Sequence, residues 1–418
     1  MLHDLPKRVR SRLRLVRAHW KRRRSKARFI VITGSSAKTT TTSLLTNILA
    51  TTYKVRSQIE ANRLENALEV LNRLDGTEDF VVVETGTGQP GDLKVLMELL
   101  KPDISIVTMV AVEHYSAFRG IEAVEKEKSE VVRALGRAGI AVLNADDARV
   151  NAMAEQTSAR VVTFGGNGSD YEIRQMQLSK DGFLTLTLAR AGLLVTLPTQ
   201  LVGMHNALAV TAASTCALTL GVPETAVVDA VGRFQPIAGR MSRHVVPDGT
   251  VFLVDSVKAP GHSIGLPLET LRAIEAPRKR FVLGQISDYP GAANKRYREA
   301  YTVARAVADE VIFVGPHGHY ARPTAEDIAG NHYFSFQSVE DAAHHIKKTA
   351  IPDEVIVLKS SRNLHLERIM LSFSADVRCW INQCGSKVGC WQCSLYRVPF
   401  SEHGGDAKLY KRRKRHKR

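Results

Sequence analysis

The sequence predicts an α/β protein of two domains, and three observations carry that prediction. From residue 28 onward, short apolar runs of strand type alternate with helical segments, a pattern that argues a mostly parallel sheet covered by helices on both faces. A Gly-Ser-Ser turn and a Lys-Thr pair sit between the first strand and the first helix, in FIVITGSSAKTTTTSLL. After Gly239-Arg240 the alternation starts again. The fold class is therefore α/β: a P-loop central domain with a mostly parallel sheet plus a small antiparallel addition, followed by a second, Rossmann-like α/β domain. A length of 418 residues exceeds one ordinary core. The expected boundaries are 1–28 for a basic helix, 29–240 for the central domain, 241–375 for the second domain and 376–418 for a cysteine-containing basic tail.

Taken in order, Leu5, Val9, Leu13, Val16 and Trp20 recur at steps of 4, 4, 3 and 4 among arginines and lysines, which is one apolar stripe on a basic helix. Such helices lie in the headgroup region of anionic membranes with Trp at the interface. Packing of the stripe on the protein's own body is the other reading, and a cleaved organelle-targeting segment also fits the Arg-rich, acid-poor start. A secretory signal does not fit, because no apolar region of roughly 7 to 15 residues follows the charges. RFIVITG reads as a buried strand and Lys38 to Thr52 as a helix. DFVVVETG, DISIVTMV and GIAVLNADD are further strands, with helices around Asp92 to Leu100 and Ile121 to Leu135 between them. LTLTLAR and LLVTLPT alternate and supply the antiparallel addition, and a helix follows from about Asn206 to Leu220. In the second domain, RHVVPDGTVFLVD is a hairpin turning at Pro247-Asp248-Gly249, and FVLG, EVIFVG and EVIVLKSS are buried strands.

The net charge of +16 suggests a nucleic-acid binder until it is counted by segment. Residues 1–28 hold 12 basic residues against one acidic, and residues 402–418 hold 8 against two, leaving 38 basic and 39 acidic residues between. The body is neutral, so nucleic acid is not the expected partner. No run approaches the roughly 18 apolar residues of a membrane span. Five cysteines in this length do not make a disulfide framework, which points to a reducing compartment. The expected location is cytoplasmic, peripheral on the inner face of a membrane if the first helix binds lipid.

In the strand–turn–helix context, backbone amides can hold phosphate, Lys38 can reach terminal phosphates and Thr39 can bind magnesium. The strict P-loop pattern is not met, since its glycine positions fall on Ile32 and Ala37. A Ser/Thr-rich helix start capping its own amides is the alternative. The run Gly34, Ser35, Ser36, Ala37, Lys38, Thr39, Thr40 resembles the Gly-Thr-x-Gly-Lys-Thr-Thr turn of the Mur ligases, the ATP-dependent ligases that add amino acids to peptidoglycan precursors. Further motifs follow in the family's order: Glu84 in VVVETG; His114, Phe118, Lys128 and Glu130 in EHYSAFRGIEAVEKEKSE; LNADD at Asn144 to Asp147; GMHNALAV at Gly203, His205 and Asn206. Gly239-Arg240, VDSVKAPGHS at Asp255, Ser256, Ala259 and Ser263, and LKSSRNLHLE at Lys359, Ser361, Arg362 and Glu367 complete the series. The local motifs are most similar to the branch that adds D-alanyl-D-alanine to the UDP-muramoyl tripeptide.

The resemblance implies an ATP- and magnesium-dependent amide ligase that activates a small-molecule carboxylate as an acyl phosphate for attack by an amino acid or dipeptide amine. It implies that Lys38 neutralises phosphate charge, that Thr39 and Glu84 hold one magnesium, and that His114 with a carbamylated Lys128 holds a second. Asn206 would contact adenine, and Arg240 and Asp255 phosphate and ribose. Lys359, Ser361 and Arg362 would meet the incoming amine's carboxylate, Arg362 through a bidentate pairing. The plainer alternatives are a helix-capping Glu84, a loop His114, a solvated Lys128, a helix-capping Asn206, a surface ion pair for Arg240 and Asp255, and surface charge for Lys359 and Arg362.

The sequence also departs from the family. The phosphate loop is reached by residue 34, which leaves no room for the domain that holds the UDP-sugar in the peptidoglycan enzymes. Ala37, Ser116 and Ser360 replace a glycine, an acid and a glycine. These departures create the expectation of a different carboxylate, or of the usual one supplied by a protein partner. A membrane-associated poly-amino-acid synthase and a non-catalytic nucleotide-binding regulator are the alternatives. Outside the resemblance, Cys379, Cys384, Cys390 and Cys393 have a spacing that suits a four-thiolate zinc knuckle, with ordinary reduced thiols as the alternative. The final KLYKRRKRHKR is expected to be disordered.

Overall fold

The computed structural model describes residues 7–60, 63–113, 115–386 and 388–403. His114, Leu5 of the apolar stripe and the terminal KLYKRRKRHKR therefore lie outside the described residues. The chain divides into two units, the described residues of Met1–Gln177, Leu184–Gln200 and His205–Phe234, and those of Leu178–Phe183, Leu201–Met204 and Gln235–Arg418.

The first sheet contains β1 (Arg28–Thr33), β2 (Val55–Gln58), β3 (Phe80–Glu84), β4 (Ile104–Val107), β5 (Ile140–Asn144), β6 (Arg160–Gly165), β7 (Tyr171–Leu178), β8 (Phe183–Arg190) and β9 (Leu193–Val202). Their order is β2-β3-β1-β4-β5-β6-β7-β8-β9. β1 pairs in parallel with β3 on one side and β4 on the other. Chain order thus reverses at β1, and the crevice beyond its carboxyl end is where ligands settle in open α/β sheets. Phe29, Ile30, Val31 and Ile32 are all buried, because helices cover both faces. Leu71 from α3 (Leu64–Arg73) and Leu96 and Leu100 from α4 (Asp92–Leu100) join Phe29, Val31, Val81 and Val83 in one core. α2 (Lys38–Leu49) packs against the helix Ala207–Thr219.

Three differences from the expected elements have physical reasons. β2 and α3 were not anticipated; VRSQ is half-buried at the sheet edge and carries no apolar run. The small addition gains a third strand, β7, which pairs in parallel with β6 and precedes β8 in the sheet, and its polar sequence YEIRQMQL hides it. The charged helix is interrupted and splits into Ile121–Lys128 and Glu130–Arg133.

The N-terminal helix α1 (Lys7–Arg24) docks on the first unit by a face other than its stripe. Asn72 Nδ2 donates to Arg14 O at 3.1 Å, and Lys21 Nζ donates to Asn72 O at 3.1 Å. Arg22 donates to Leu100 O and Lys101 O, each at 2.6 Å, and its guanidinium covers the Phe29 ring at 3.9 Å. Ala18 is buried, whereas Leu13, Val16 and Trp20 are 45%, 66% and 54% exposed. Packing of the stripe on the protein's own body is thus not what holds this helix.

In the second unit, β10 (Ser242–Val245), β11 (Val251–Asp255), β12 (Lys279–Leu283), β13 (Glu310–Val314), β14 (Tyr333–Phe336) and β15 (Val355–Lys359) pair in the order β10-β11-β15-β12-β13-β14. β10 and β11 form the expected antiparallel hairpin, and Asp248 accepts Thr250 N at 3.0 Å in its turn. The other pairings are parallel. Insertion of β15 beside β11 sets Lys359 opposite Asp255.

Candidate active site

The phosphate loop is built by close approach. Gly34 has φ +148, and a Cβ added there would lie 1.8 Å from Thr108 Oγ1. That hydroxyl donates to Ser36 O at 2.7 Å. Ser35 Oγ donates to Ala111 O at 3.0 Å and accepts Ala111 N at 2.8 Å, while Ser35 N donates to Met109 O at 2.9 Å. The loop is thereby stitched to residues 108–111 beyond β4. Ala37, where the family has glycine, keeps a left-handed conformation at φ 66 and ψ −12, which costs an alanine about 1–2 kcal/mol. Alanine here thus holds a turn of the kind that glycine favours. The N-cap of α2 is Ala37, whose side chain supplies no cap, and a helix start of this kind favours an anion. Thr40 is half-buried on this first turn.

Lys38 is buried with Nζ donating to Gly34 O. Thr39 Oγ1 donates to Glu84 Oε1 at 3.0 Å, and Glu84 Oε2 accepts Glu60 N at 2.8 Å. Thr39 and Glu84, on different elements, are therefore brought together. Lys128 is fully buried and pairs with Glu113. The solvated-lysine alternative is overturned, because the helix Ile121–Lys128 turns its last residue inward. Sequence reasoning missed Glu113; its signal was an acid immediately before the singled-out His114. The LNADD motif supports the same segment, since Asn144 Nδ2 donates to Thr108 O at 2.8 Å and Asp147 Oδ2 accepts Val110 N at 2.7 Å.

Burial pushes the Lys128 ammonium down to about 8 from its ordinary 10.5; Glu113 opposes the shift and the charge of Lys38 adds to it. The unfolded chain keeps this proton up to about 10.5 while the folded chain releases it near 8. The folded state binds fewer protons between those values, so the penalty is present below pH 8 and relieved as pH rises to 10.5. Denaturant titrations are expected to show wild type gaining on the order of 3 kcal/mol across that window relative to a Glu113→Gln/Lys128→Met double variant. A difference that stays flat with pH contradicts the buried pairing.

Asn206 is buried at the start of the helix Ala207–Thr219, but its side chain does not cap that helix; Nδ2 lies 3.3 Å from His205 Nε2. Arg240 Nε is buried with no hydrogen-bond partner among the described residues. Lys359 is 2% exposed, with Nζ 2.6 Å from Asp255 Oδ2 and 3.0 Å from Lys258 O. This corrects the surface-charge reading of Lys359. It also turns Lys359 and Asp255 on each other, where the expectation gave each a separate ligand. Ser360 has a structural counterpart: its Oγ accepts Gln285 N at 3.1 Å and occupies space that a Cβ on Gly284 would enter at 2.5 Å. The glycine absent from the motif is supplied across the sheet. Ser361 N donates to Gln285 O at 2.9 Å, and Arg362 opens the turn Arg362–Leu364, half-buried.

The four cysteines do not gather into the expected knuckle. Among the described residues, the group of His, Cys, Asp and Glu whose ligand atoms lie within 4.8 Å of one another is His365, Glu367 and Cys390. Spacing within the tail omits the body residues to which the tail returns, and Cys390 N donates to the buried Glu367 Oε1 at 3.0 Å.

Two lysines, a helix N-terminus and paired carboxylates collected at a sheet's switch point are suited to shifting charge on phosphate, which is the business of the P-loop α/β enzymes. The family model of the Mur ligase middle domain matches residues 32–217, and that of the Mur ligase glutamate ligase domain matches residues 239–362. The chain belongs to the Mur ligase family, and it is an ATP-dependent carbon–nitrogen ligase of the acid–amino-acid type. UDP-N-acetylmuramoyl-tripeptide–D-alanyl-D-alanine ligase of Haemophilus influenzae is 23% identical over 376 residues, covering 87% of this chain and 80% of the relative. The Escherichia coli enzyme of that name is 25% identical over 372 residues, with the same coverage. In fold, the chain is similar to the crystal structure of MurF from Acinetobacter baumannii, with a TM-score of 0.77, 21% identity and coverage of 86% of this chain and 79% of that one. MurF ligase from Thermotoga maritima in complex with ADP gives a TM-score of 0.77 at 20% identity, over 87% of this chain and 83% of that one.

Proposed function

We propose that this ligase joins a small-molecule carboxylate to an amino acid or dipeptide amine in cell-wall synthesis, with the site residues acting as follows. The carboxylate attacks the terminal phosphoryl group of ATP and ADP leaves. The amine then attacks the acyl carbon of the resulting acyl phosphate, phosphate departs with one carboxylate oxygen, and the amine gives up a proton. Gly34 through Thr40 cradle the phosphates, and Lys38 offsets the charge that accumulates as two anions meet. The hydroxyl and carboxylate oxygens of Thr39 and Glu84 suit magnesium, which supplies charge neutralisation on phosphate when bound. Lys128, carbamylated, would stand beside Glu113 as a second carboxylate, converting an ion pair into an oxygen-rich cation site to which His114 contributes. Its lowered pKa favours that modification, because a neutral amine is what attacks carbon dioxide. Asn206, Arg240 and Asp255 serve the nucleotide, and Ser361 and Arg362 the amine's carboxylate.

The observation that carries this reading is the meeting of Lys38, the Lys128–Glu113 pair and the Thr39–Glu84 pair around one phosphate loop. It is tested by screening UDP-muramoyl peptides and other carboxylates against amino acids and dipeptides for amine-dependent ADP release, with the product's mass measured. A product of the summed masses less water is expected. ATP binding with no release for any pair would favour a non-catalytic regulator.

We further propose that α1 holds the enzyme against an anionic membrane, since Leu13, Val16 and Trp20 stay exposed among its arginines. Phosphatidylglycerol vesicles are expected to bind the protein and shift Trp20 emission to the blue, with Val16→Glu weakening binding at least about tenfold. Equal partition onto phosphatidylcholine vesicles contradicts this.

A further inference from the structure

The tail returns to the second unit at a buried histidine. Arg368, itself buried, donates to Leu364 O, His365 O and Cys379 O at 2.9, 3.2 and 2.7 Å, fixing where the tail begins. His365 is 1% exposed and has φ 52, so the chain turns sharply and aims its ring inward. Nδ1 lies 3.0 Å from Glu367 Oε1, and Nε2 lies 3.2 Å from Cys384 Sγ. The ligand atoms of Cys390, His365 and Glu367 fall within 4.8 Å of one another.

Both oxygens of Glu367 are engaged. Oε1 faces His365 Nδ1 and the Cys390 amide, and Oε2 accepts the Ser256 hydroxyl at 3.1 Å. A carboxylate at Nδ1 fixes the orientation of the ring and aims Nε2 at the Cys384 thiol, the usual support of a metal-binding histidine. Two thiolates and an imidazole are a soft set that suits zinc and does not suit magnesium or calcium. We propose that a zinc ion held by His365 Nε2, Cys384 Sγ and Cys390 Sγ clamps the tail to the second unit, with Glu367 orienting the imidazole. The fourth position takes an oxygen or nitrogen, and Cys379 and Cys393 remain thiols. Binding requires a deprotonated His365 Nε2 and two thiolates, so every proton that these three atoms carry is released to solvent, leaving no redox change to balance. The clamp ties residues 384–390 through Glu367 to Ser256, just beyond β11, and stands independently of the ligase reading.

The full chain, purified without chelator or added zinc, is expected to carry about one equivalent of zinc. X-ray absorption at the zinc edge should find two sulfurs at about 2.3 Å and lighter atoms at about 2.0–2.1 Å. His365→Gln, Cys384→Ser and Cys390→Ser should each weaken zinc binding at least about tenfold, while Cys379→Ser, Cys393→Ser and Cys216→Ser retain it. Less than a tenth of an equivalent of zinc, or a four-sulfur shell, overturns the proposal. So does zinc retained by His365→Gln but lost from Cys379→Ser and Cys393→Ser. The absorption spectrum is read on the unaltered protein, so the result does not depend on whether any variant folds.

Discussion

Lys38→Ala lowers amine-dependent ADP release by about 10³-fold, the upper range for removing one oriented donor from a site of developing charge. The expectation rests on placement. The ammonium is buried at the base of the phosphate loop, held by Gly34 O, and close enough to Lys128 to depress that residue's pKa. Its charge is poised for phosphate and has no carboxylate partner on hand to repay its desolvation among the contacts described above. The variant's melting temperature is therefore expected to hold or rise, since a buried cation and its repulsion of Lys128 both disappear. The Lys128 pKa should move upward in the same variant. Loss of activity accompanied by a fall in melting temperature of more than several degrees would mean that Lys38 is a structural group.

Gly34→Ala is expected to cost about 3 kcal/mol and to remove nucleotide binding with it. An added Cβ would lie 1.8 Å from Thr108 Oγ1, 3.1 Å from Thr108 Cβ and 3.2 Å from Met109 N, at a φ of +148 that alanine rarely adopts. If Thr108 rotates away, it gives up its bond to Ser36 O, which shapes the loop. Relief by Thr108→Ala should therefore be partial: the oxygen clash goes, while the backbone approach and the φ penalty stay. Denaturation of the two single variants and the double variant measures this coupling. Additive losses would show that loop and β4 segment are not in contact as described.

How much of this was legible follows from what each feature depends on. β1, β3, β4 and β5 are written in local apolar runs, and α2 and α4 in the turns before them, so the sequence alone suffices to place them. The hairpin of β10 and β11 is equally local, through Pro247-Asp248-Gly249. β2 and β14 are edge strands: VRSQ in β2 carries no apolar run, and YFSF in β14 is aromatic but only four residues long and only partly buried. The Lys359–Asp255 pair was hidden for a different reason. It depends on β15 inserting between β11 and β12, a register that no nearby residue announces. Glu113 was passed over because attention fell on the histidine beside it, although burial of Lys128 demands a carboxylate partner. The tail cysteines misled by spacing: sulfurs could be counted, while the histidine that meets them comes from the turn after β15. On α1 the stripe was visible, but docking by Ala18 and Arg22 was not, since one small residue and one arginine make no periodic pattern.

The central claim is that the carboxylate is activated by direct phosphorylation at this loop. Once a substrate pair is identified, the carboxylate is prepared with ¹⁸O in both oxygens, and the inorganic phosphate released during turnover is analysed by mass. Attack of a carboxylate oxygen on the terminal phosphoryl group, followed by amine attack at carbon, must leave one ¹⁸O in each phosphate and one in the amide product. Phosphate free of ¹⁸O, formed at the same rate as the amide, would contradict the account.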